Sequence, residues 1–277
     1  MVSLTCVVPV YNEEAAKEVV SGLRKVLDKV AEYEIIVVDD GSTDVVKVEG
    51  ATIVRHPQNM GYGASIKTGI LKAGGDKILI VDADGTYQLE AIPSMLEGDY
   101  DMVVAARTKP NVNMPLYRRP AKWLIGQLAN YLSGTPIPDL NSGLRVFRKA
   151  RALEFLHLYP RGFSFTTTIT LAFLCNDYTV KYVPIEYYRR KGKSKIRPVR
   201  DGLGFILLIV RTILYFNPLK VFLPVAALLF ILGAAVFAYS AFALGRVMDI
   251  TVIALITSAI EVALFGLLAD LIVRRPR

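Results

Sequence analysis

The chain has 277 residues, enough for one large domain or two smaller ones with a sizeable core. Its 33 Lys and Arg against 25 Asp and Glu leave a net charge of +8, which suits nucleic acid, an anionic membrane surface or a phosphorylated substrate, and the placement of the basic residues separates these. Two cysteines, Cys6 and Cys175, both in apolar surroundings, fit buried thiols in a reduced compartment better than a disulfide or a metal site.

The first residues, MVSLTCVVPVYNEE, lack a basic n-region and a long apolar h-region, so no cleaved signal peptide is expected. LTCVVPV and EIIVVDD are short Val- and Ile-rich runs flanking a helical stretch from about Glu13 to Val30, and TIVRH, KILIVDAD and DMVVAAR follow with helical patterns between some of them. This alternation predicts an α/β fold, with helices packed on a mostly parallel sheet. Ligands of open α/β sheets bind beyond the carboxyl ends of the strands. Tyr11-Asn12-Glu13, Asp39-Asp40-Gly41-Ser42, Asp82-Ala83-Asp84 and Arg107 all fall at such ends, and four polar clusters on one edge argue against chance turns. Asp82 and Asp84 suit either a local turn or a hard divalent cation, which prefers oxygen ligands and keeps positions open for phosphate.

NMGYGASIKTG (Asn59 to Gly69) has neither the P-loop spacing nor a full GxGxxG, which disfavours a P-loop kinase and a dinucleotide dehydrogenase. Its glycines serve a loop-to-helix turn or a backbone cradle near a ligand. His56, beside Pro57, reads as a surface loop residue and not a catalyst. Arg118 to Leu132, RRPAKWLIGQLANYL, suits an interfacial helix or an ordinary amphipathic surface helix.

Further on, DGLGFILLIVRTILYFN is apolar but split by Arg211, and an interfacial helix lying on the membrane is expected there in preference to a third span. Val221 to Leu244 carries no charge, and Ile250 to Val273 only Glu261 and Asp270; each exceeds the roughly 20 residues that cross a bilayer. The link between them permits only a hairpin. Basic residues between Arg189 and Arg200 precede it, and Arg274, Arg275 and Arg277 follow it, so both ends are expected in the cytoplasm. The positive charge is therefore assigned to the bilayer, with no nucleic-acid partner. Glu261 falls near the middle of the second span, where a charge costs on the order of a few kcal/mol unless paired or neutralised. It is expected to face another helix, in the first span or in a neighbouring subunit.

PVYNEE, VVDDGSTD, VDADGT, AAR, DLNSGLRVFRK and RRKGKSK occur in this order. Over residues 1 to about 200 the chain resembles the inverting family 2 glycosyltransferases, in particular the polyprenyl-phosphate (dolichyl-phosphate mannose synthase-like) group. The resemblance implies a GT-A nucleotide-sugar-binding fold, a nucleotide-sugar donor, a divalent metal (Mg²⁺ or Mn²⁺) and a polyprenyl phosphate acceptor, dolichyl or undecaprenyl. Mannose from GDP-mannose is favoured, with glucose from UDP-glucose close behind.

By the same resemblance, Pro9, Tyr11, Glu13, Val38 and Asp40 line the base and ribose. Asp82 and Ala83 contact the donor, Asp82 stands near or on the metal, and Asp84 is its direct ligand. Arg107 lies near the reacting phosphates, Asp139 borders the acceptor cleft, and Arg189 and Lys195 are the cations of an R-x-x-G-x-S-K segment. Where some members carry Gln as a further ligand this chain has Thr86, a weaker donor, so that Thr86, an extra water or Gln88 completes the site. Asp139 also suits an N-cap, and Arg145 a structural partner for it. Departure of a nucleoside diphosphate develops charge that cations stabilise. A phosphate monoester, with a second pKa near about 6, needs positioning more than a strong base. The domains expected are 1–200 catalytic and cytoplasmic, 201–218 interfacial and 219–277 a two-helix transmembrane hairpin through which the chain can self-associate. A processive polysaccharide synthase is disfavoured because Q-x-x-R-W is absent around the only tryptophan, Trp123. The alternative from another class is a catalytically silent membrane module that binds nucleotide sugar.

Overall fold

The computed structural model describes residues 3–108, 126–131, 133–162, 164–186, 188, 207, 209–243, 245 and 249–273. It divides into two compact units, Met1–Ile209 and Val210–Arg277. Arg189, Lys195, Arg118, Arg119, Lys122 and Trp123 lie outside the described residues, as do residues 201–206 and 208 of the interfacial segment expected at 201–218.

The first unit is built on a seven-stranded sheet in the order β3-β2-β1-β4-β6-β5-β7. Its strands are β1 (Leu4–Val10), β2 (Tyr33–Asp39), β3 (Thr52–Arg55), β4 (Lys77–Ile80), β5 (Met102–Ala106), β6 (Arg145–Arg148) and β7 (Val180–Pro184). Every pairing is parallel except those of β6, which runs antiparallel between β4 and β5. Central β1 is buried along its whole length, and the continuous apolar run is what a strand covered on both faces requires. At the sheet edge β3 is mostly exposed.

Helix α1 (Ala16–Leu27) is amphipathic: Ala16, Val19, Val20, Leu23 and Leu27 are buried at helical spacing, with Glu18 in the first turn and Arg24 and Lys25 in the last to complement the dipole. It is shorter at both ends than the stretch from Glu13 to Val30. Next come α2 (Tyr62–Lys72), a 3-10 turn at Leu89–Ala91, α3 (Ile92–Leu96), α4 (Lys149–Glu154) and α5 (Phe165–Cys175). Buried α5 holds four threonines, and the hydroxyls of Thr168 and Thr170 donate to the Ser164 and Thr166 carbonyls one turn back, satisfying polar groups in an apolar setting.

In the second unit, α6 (Leu219–Phe242) and α7 (Asp249–Val273) are each long and apolar enough to cross a bilayer. The buried residues of α6 are Ala226, Gly233 and Ser240, seven apart; on α7, Val252, Ala259 and Gly266 are buried at the same spacing. The two helices meet along this seam of mostly small residues, with Gly233 against Leu255 and Ile256 and Gly266 against Phe222 and Leu219. A seven-residue repeat of small side chains lets two helix backbones approach closely. Glu261 stands at the midpoint of α7 and is exposed, away from this seam. It does not face the first span, which removes one of its two expected partners.

Candidate active site

Parallel strands β1, β2, β4 and β5 end on one edge of the sheet, and because β6 runs the other way, the loop leading into it arrives at that edge too. The turn after β1 carries Tyr11, Asn12 and Glu13. Asn12 has a positive φ of 51°; its N–H donates to Ser42 Oγ (3.0 Å) and its Oδ1 accepts from Thr43 N–H (2.9 Å), which ties this turn to the one after β2. Pro9 and Val38 are paired neighbours on β1 and β2, both buried.

Asp40 is 3% exposed, and its carboxylate accepts from Met60 N–H (2.9 Å) and Gly61 N–H (2.8 Å) while Oδ1 lies 2.7 Å from His56 Nδ1. His56 Nε2 is 2.9 Å from the Thr68 hydroxyl. His56 is thus buried, and not the surface residue that its neighbour Pro57 suggested: beyond β3 the chain tucks inward, and the imidazole bridges Asp40 to α2. Gly61, at φ +101°, is where the chain turns into α2. The glycine-rich stretch therefore forms a loop-to-helix turn, clamped by Asp40.

After β4, Ala83 and Thr86 are buried while Asp82 and Asp84 keep part of their surface. The Tyr62 hydroxyl donates to Asp82 Oδ1 (2.8 Å). Burial and then the Asp84 charge push the Asp82 carboxyl up to about 6, against the opposing effects of the Tyr62 hydrogen bond and the Arg107 and Arg145 charges. Asp84 Oδ1 accepts from both the Thr86 hydroxyl (2.6 Å) and the Thr86 N–H (3.2 Å). With 1% exposure, Thr86 turns its hydroxyl onto Asp84 and orients that carboxylate. Gln88 Oε1 accepts from Glu186 N–H (3.4 Å), and the Thr86 carbonyl accepts from Tyr188 N–H (2.9 Å), so the segment after β7 runs beside this turn up to the residue before Arg189.

Arg107, just beyond β5, forms a bidentate pair with Asp139: Nε to Oδ2 at 2.7 Å and Nη2 to Oδ1 at 2.9 Å, with the Arg107 N–H also on Oδ2 at 3.0 Å. Asn141 N–H donates to Asp139 Oδ1 (3.1 Å). Burial would raise the Asp139 carboxyl, but Arg107 outweighs it and holds the group below the usual carboxylate range. Arg145 is not the partner of Asp139. It is fully buried, donates to the Ser142 carbonyl through Nε (3.0 Å) and Nη2, and reaches the Thr166 carbonyl and Thr170 hydroxyl, each at 3.0 Å, through Nη1. It thereby fixes the loop from Asp139 to Arg145 onto α5.

Tyr62, Tyr87 and Gly143 complete this arrangement and were not read from the sequence. Gly143 N–H donates to the Tyr87 hydroxyl (2.6 Å), and its backbone lies so near Asp82 that a Cβ there would fall 2.6 Å from Oδ1 and closer still to Oδ2. Glycine at 143 beside a Tyr on each flank of the acidic turn was the available signal, legible only once β6 is known to return to this edge.

Chemically, two carboxylates on one turn face a paired arginine across a polar sheet edge, with no third carboxylate, His or Cys grouped with them for metal binding among the described residues. Such a donor set fits a hard cation that shares its remaining positions with phosphate oxygens and water.

Sheet order, the acidic turn and the hairpin define a glycosyltransferase of GT-A fold. In solved structures the same fold appears in glucosyl-3-phosphoglycerate synthase from Mycobacterium tuberculosis in complex with UDP, at TM-score 0.57 and 19% identity over 76% of this chain and 80% of that one. It appears also in S. aureus TarS 1-349, at TM-score 0.54 and 19% identity over 76% of this chain and 65% of that one. The chain belongs to glycosyl transferase family 2, which it matches over residues 5–154, and residues 217–274 match the GtrB C-terminal hairpin. Among curated relatives, the low-salt glycan biosynthesis hexosyltransferase Agl6 of Haloferax volcanii is 29% identical over 72% of this chain, which spans about half (51%) of that protein. A dolichyl-phosphate hexose transferase of the same organism is 29% identical over 76% of this chain and 94% of its own length. The undecaprenyl-phosphate mannosyltransferase of Micrococcus luteus is 26% identical over 69% and 86%.

Proposed function

We propose that this enzyme transfers a hexose from a nucleotide sugar to a polyprenyl phosphate, dolichyl or undecaprenyl, at the cytoplasmic face of a membrane. Mannose from GDP-mannose is the first choice of donor and glucose from UDP-glucose the second. The observation that carries this reading is the placement of Asp82, Asp84 and the Arg107–Asp139 pair on one sheet edge, in a chain whose C-terminal part matches a membrane hairpin. Relatives named for dolichyl- and undecaprenyl-phosphate transfer support the acceptor class.

In this reading residues 1–200 are catalytic, 201–218 lie on the membrane and 219–277 cross it twice. Pro9, Tyr11, Glu13, Val38, Asp40 and Ala83 shape the donor pocket, with Asp40 acting through the loop it clamps. Asp84, oriented by Thr86, and Asp82, held by Tyr62, would bind Mg²⁺ or Mn²⁺. When bound, the cation neutralises the diphosphate and stabilises its departure. A lipid phosphate oxygen attacks the anomeric carbon as the bond to the diphosphate breaks. Arg107 stabilises the charge on the leaving phosphates, Asp139 holds Arg107 in place, and Arg189 and Lys195 reduce the repulsion between the two phosphate groups.

The test is the purified full-length chain incubated with Mg²⁺ or Mn²⁺, polyprenyl phosphate and a panel of nucleotide sugars, with products followed by mass spectrometry. A hexosyl-phosphate lipid from one donor is expected, and its loss on chelation. Donor binding without glycolipid from any donor would replace this reading by the silent binding module.

A further inference from the structure

Asp40 and Asp82 follow β2 and β4, the two strands that flank β1, so about 10 Å of sheet lies between them. A continuous chain of contacts nevertheless runs from one carboxylate to the other. Asp40 accepts from the amides of Met60 and Gly61, and Tyr62, the next residue and the first of α2, places its hydroxyl on Asp82 Oδ1. Upstream of Asp40 stands buried His56. A carboxylate only accepts, so His56 Nδ1 carries the hydrogen that faces Asp40, and Nε2 is left to the hydroxyl of Thr68, further along α2. The helix is thus tied to the Asp40 side at two places, ahead of its first turn and at Thr68, with Tyr62 between them. Its other side is closed. Ala64 N–H donates to the Arg161 carbonyl (3.0 Å), and a Cβ at Gly61 or Gly63 would fall 2.5 Å from the Arg161 oxygen or 2.1 Å from the Pro160 oxygen.

We propose that His56 and Tyr62 are positioning residues for the metal-binding carboxylate Asp82: His56 holds Asp40 on the Met60–Gly61 loop, the loop sets the start of α2, and Tyr62 sets the Asp82 carboxylate. The proposal rests on the reading of Asp82 as a ligand of Mg²⁺ or Mn²⁺. Neither positioning residue needs to touch the ion. The Tyr62 hydroxyl uses one lone pair of Oδ1, while the Gly143 backbone closes on the carboxylate from the direction of Oδ2, which fixes its orientation and leaves the remaining lone pairs to a cation. Groups that orient a ligand in this way matter nearly as much as the ligand, and their loss typically costs about 10- to 100-fold in metal affinity. It follows that Asp40, placed beside the base and ribose in the proposed function, acts on the metal end of the donor site as well. The glycine-rich stretch between Asn59 and Gly69 acquires a task in this scheme, which is to carry the position of one acidic turn to the other.

The test is Mn²⁺ binding to the full-length chain in detergent, followed by electron paramagnetic resonance in the presence of GDP or UDP, and it needs no turnover. A wild type that shows no Mn²⁺ binding removable by Asp84→Ala would overturn the metal reading itself. Where such binding is present, Tyr62→Phe is expected to weaken it about tenfold, His56→Leu about fivefold and Thr68→Val, which frees only the far end of the imidazole, about twofold. His56→Asn, which keeps a donor for Asp40, retains most of the affinity. In the Tyr62→Phe background His56→Leu and Thr68→Val are expected to have no further effect, because the route by which they act is already cut, whereas a general loosening of the fold would add to the loss. Thr68→Val is nearly isosteric and supplies the cycle if His56→Leu does not fold. Wild-type affinity in Tyr62→Phe, or losses that multiply in full in the double variants, would overturn the proposal while leaving the metal reading in place.

Discussion

Asp82 and Asp84 stand two residues apart and face different constraints. Asp84 is oriented by two hydrogen bonds from Thr86 and stands on the part-exposed turn. Asp84→Ala is expected to lower turnover at least about a hundredfold with the fold intact. Near-normal turnover at limiting metal would exclude Asp84 as a ligand. Asp82 is different, because its carboxyl is pushed from an ordinary 3.8 to about 6. Between these values the folded chain holds the proton more tightly than the unfolded one. The ionised group therefore costs the folded state nothing below about pH 4 and up to about 3 kcal/mol above pH 6. Metal-free Asp82→Asn is expected to melt higher than wild type at pH 7 and at the same temperature near pH 3.5, as thermal melts would show. Equal melting at pH 7 would refute the assignment. Added Mg²⁺ or Mn²⁺ should narrow the gap by stabilising only the wild type. At limiting metal, turnover should fall as pH drops below about 6, where protons compete with the cation for Asp82.

At the scale of elements, the loop from Asp139 to Arg145 joins the two sides of the site. One end pairs with Arg107, the middle presses Gly143 against Asp82, and Arg145 fastens the whole to α5. Gly143→Ala would drive a methyl group into the Asp82 carboxylate and displace it from Tyr62. An activity loss of tenfold or more is expected, with about 1–3 kcal/mol of stability. Gly126→Ala, with nothing within 4 Å among the described residues, serves as the control and should leave activity unchanged. β1, β2, β4 and β5 were legible because each contains consecutive Val, Ile, Leu or Ala residues, whereas edge strand β3 offers only Ile53 and Val54. β6 and β7 were not: Arg145-Val146-Phe147-Arg148 is four residues with a cation at each end, and Val180 to Pro184 is only partly buried at the opposite sheet edge from β3. Without β6 the antiparallel return was invisible, and with it the reason why Asp139 and Gly143 reach the same edge as Asp82. His56 escaped for a related reason, since proximity to Pro57 says nothing of the buried Asp40 opposite it.

At the scale of the whole molecule, the two long helices were the most legible feature, because an apolar run beyond about 20 residues with few or no charges has few alternatives. What the run could not disclose is the side of α7 on which Glu261 stands, which depends on the small-residue seam. Arg189 and Lys195 belong to this scale because the proposed function has them join chemistry to membrane. A polybasic anchor would make the cations from Arg189 to Arg200 interchangeable, each adding about 1 kcal/mol of attraction to anionic lipid. A phosphate-binding role would not. In detergent, Arg189→Ala and Lys195→Ala are expected to lose most activity while Arg197→Ala and Arg200→Ala retain it; equal, mild losses at all four would leave only the anchor. The Thr86 backbone bears on the same connection. Its hydroxyl and N–H hold Asp84 while its carbonyl holds Tyr188, so one residue is fastened to both the acidic turn and the strand exit that leads to Arg189. In the proposed reaction, a movement of that turn on taking up donor would be passed to Tyr188, and a pull on Tyr188 would be passed back. Such an arrangement obeys reciprocity: by whatever factor the sugar nucleotide tightens binding of the lipid phosphate, the lipid phosphate tightens binding of the sugar nucleotide. Thr86→Ala, which keeps the backbone bonds but removes the hydroxyl, should lower that shared factor equally whichever ligand is titrated first.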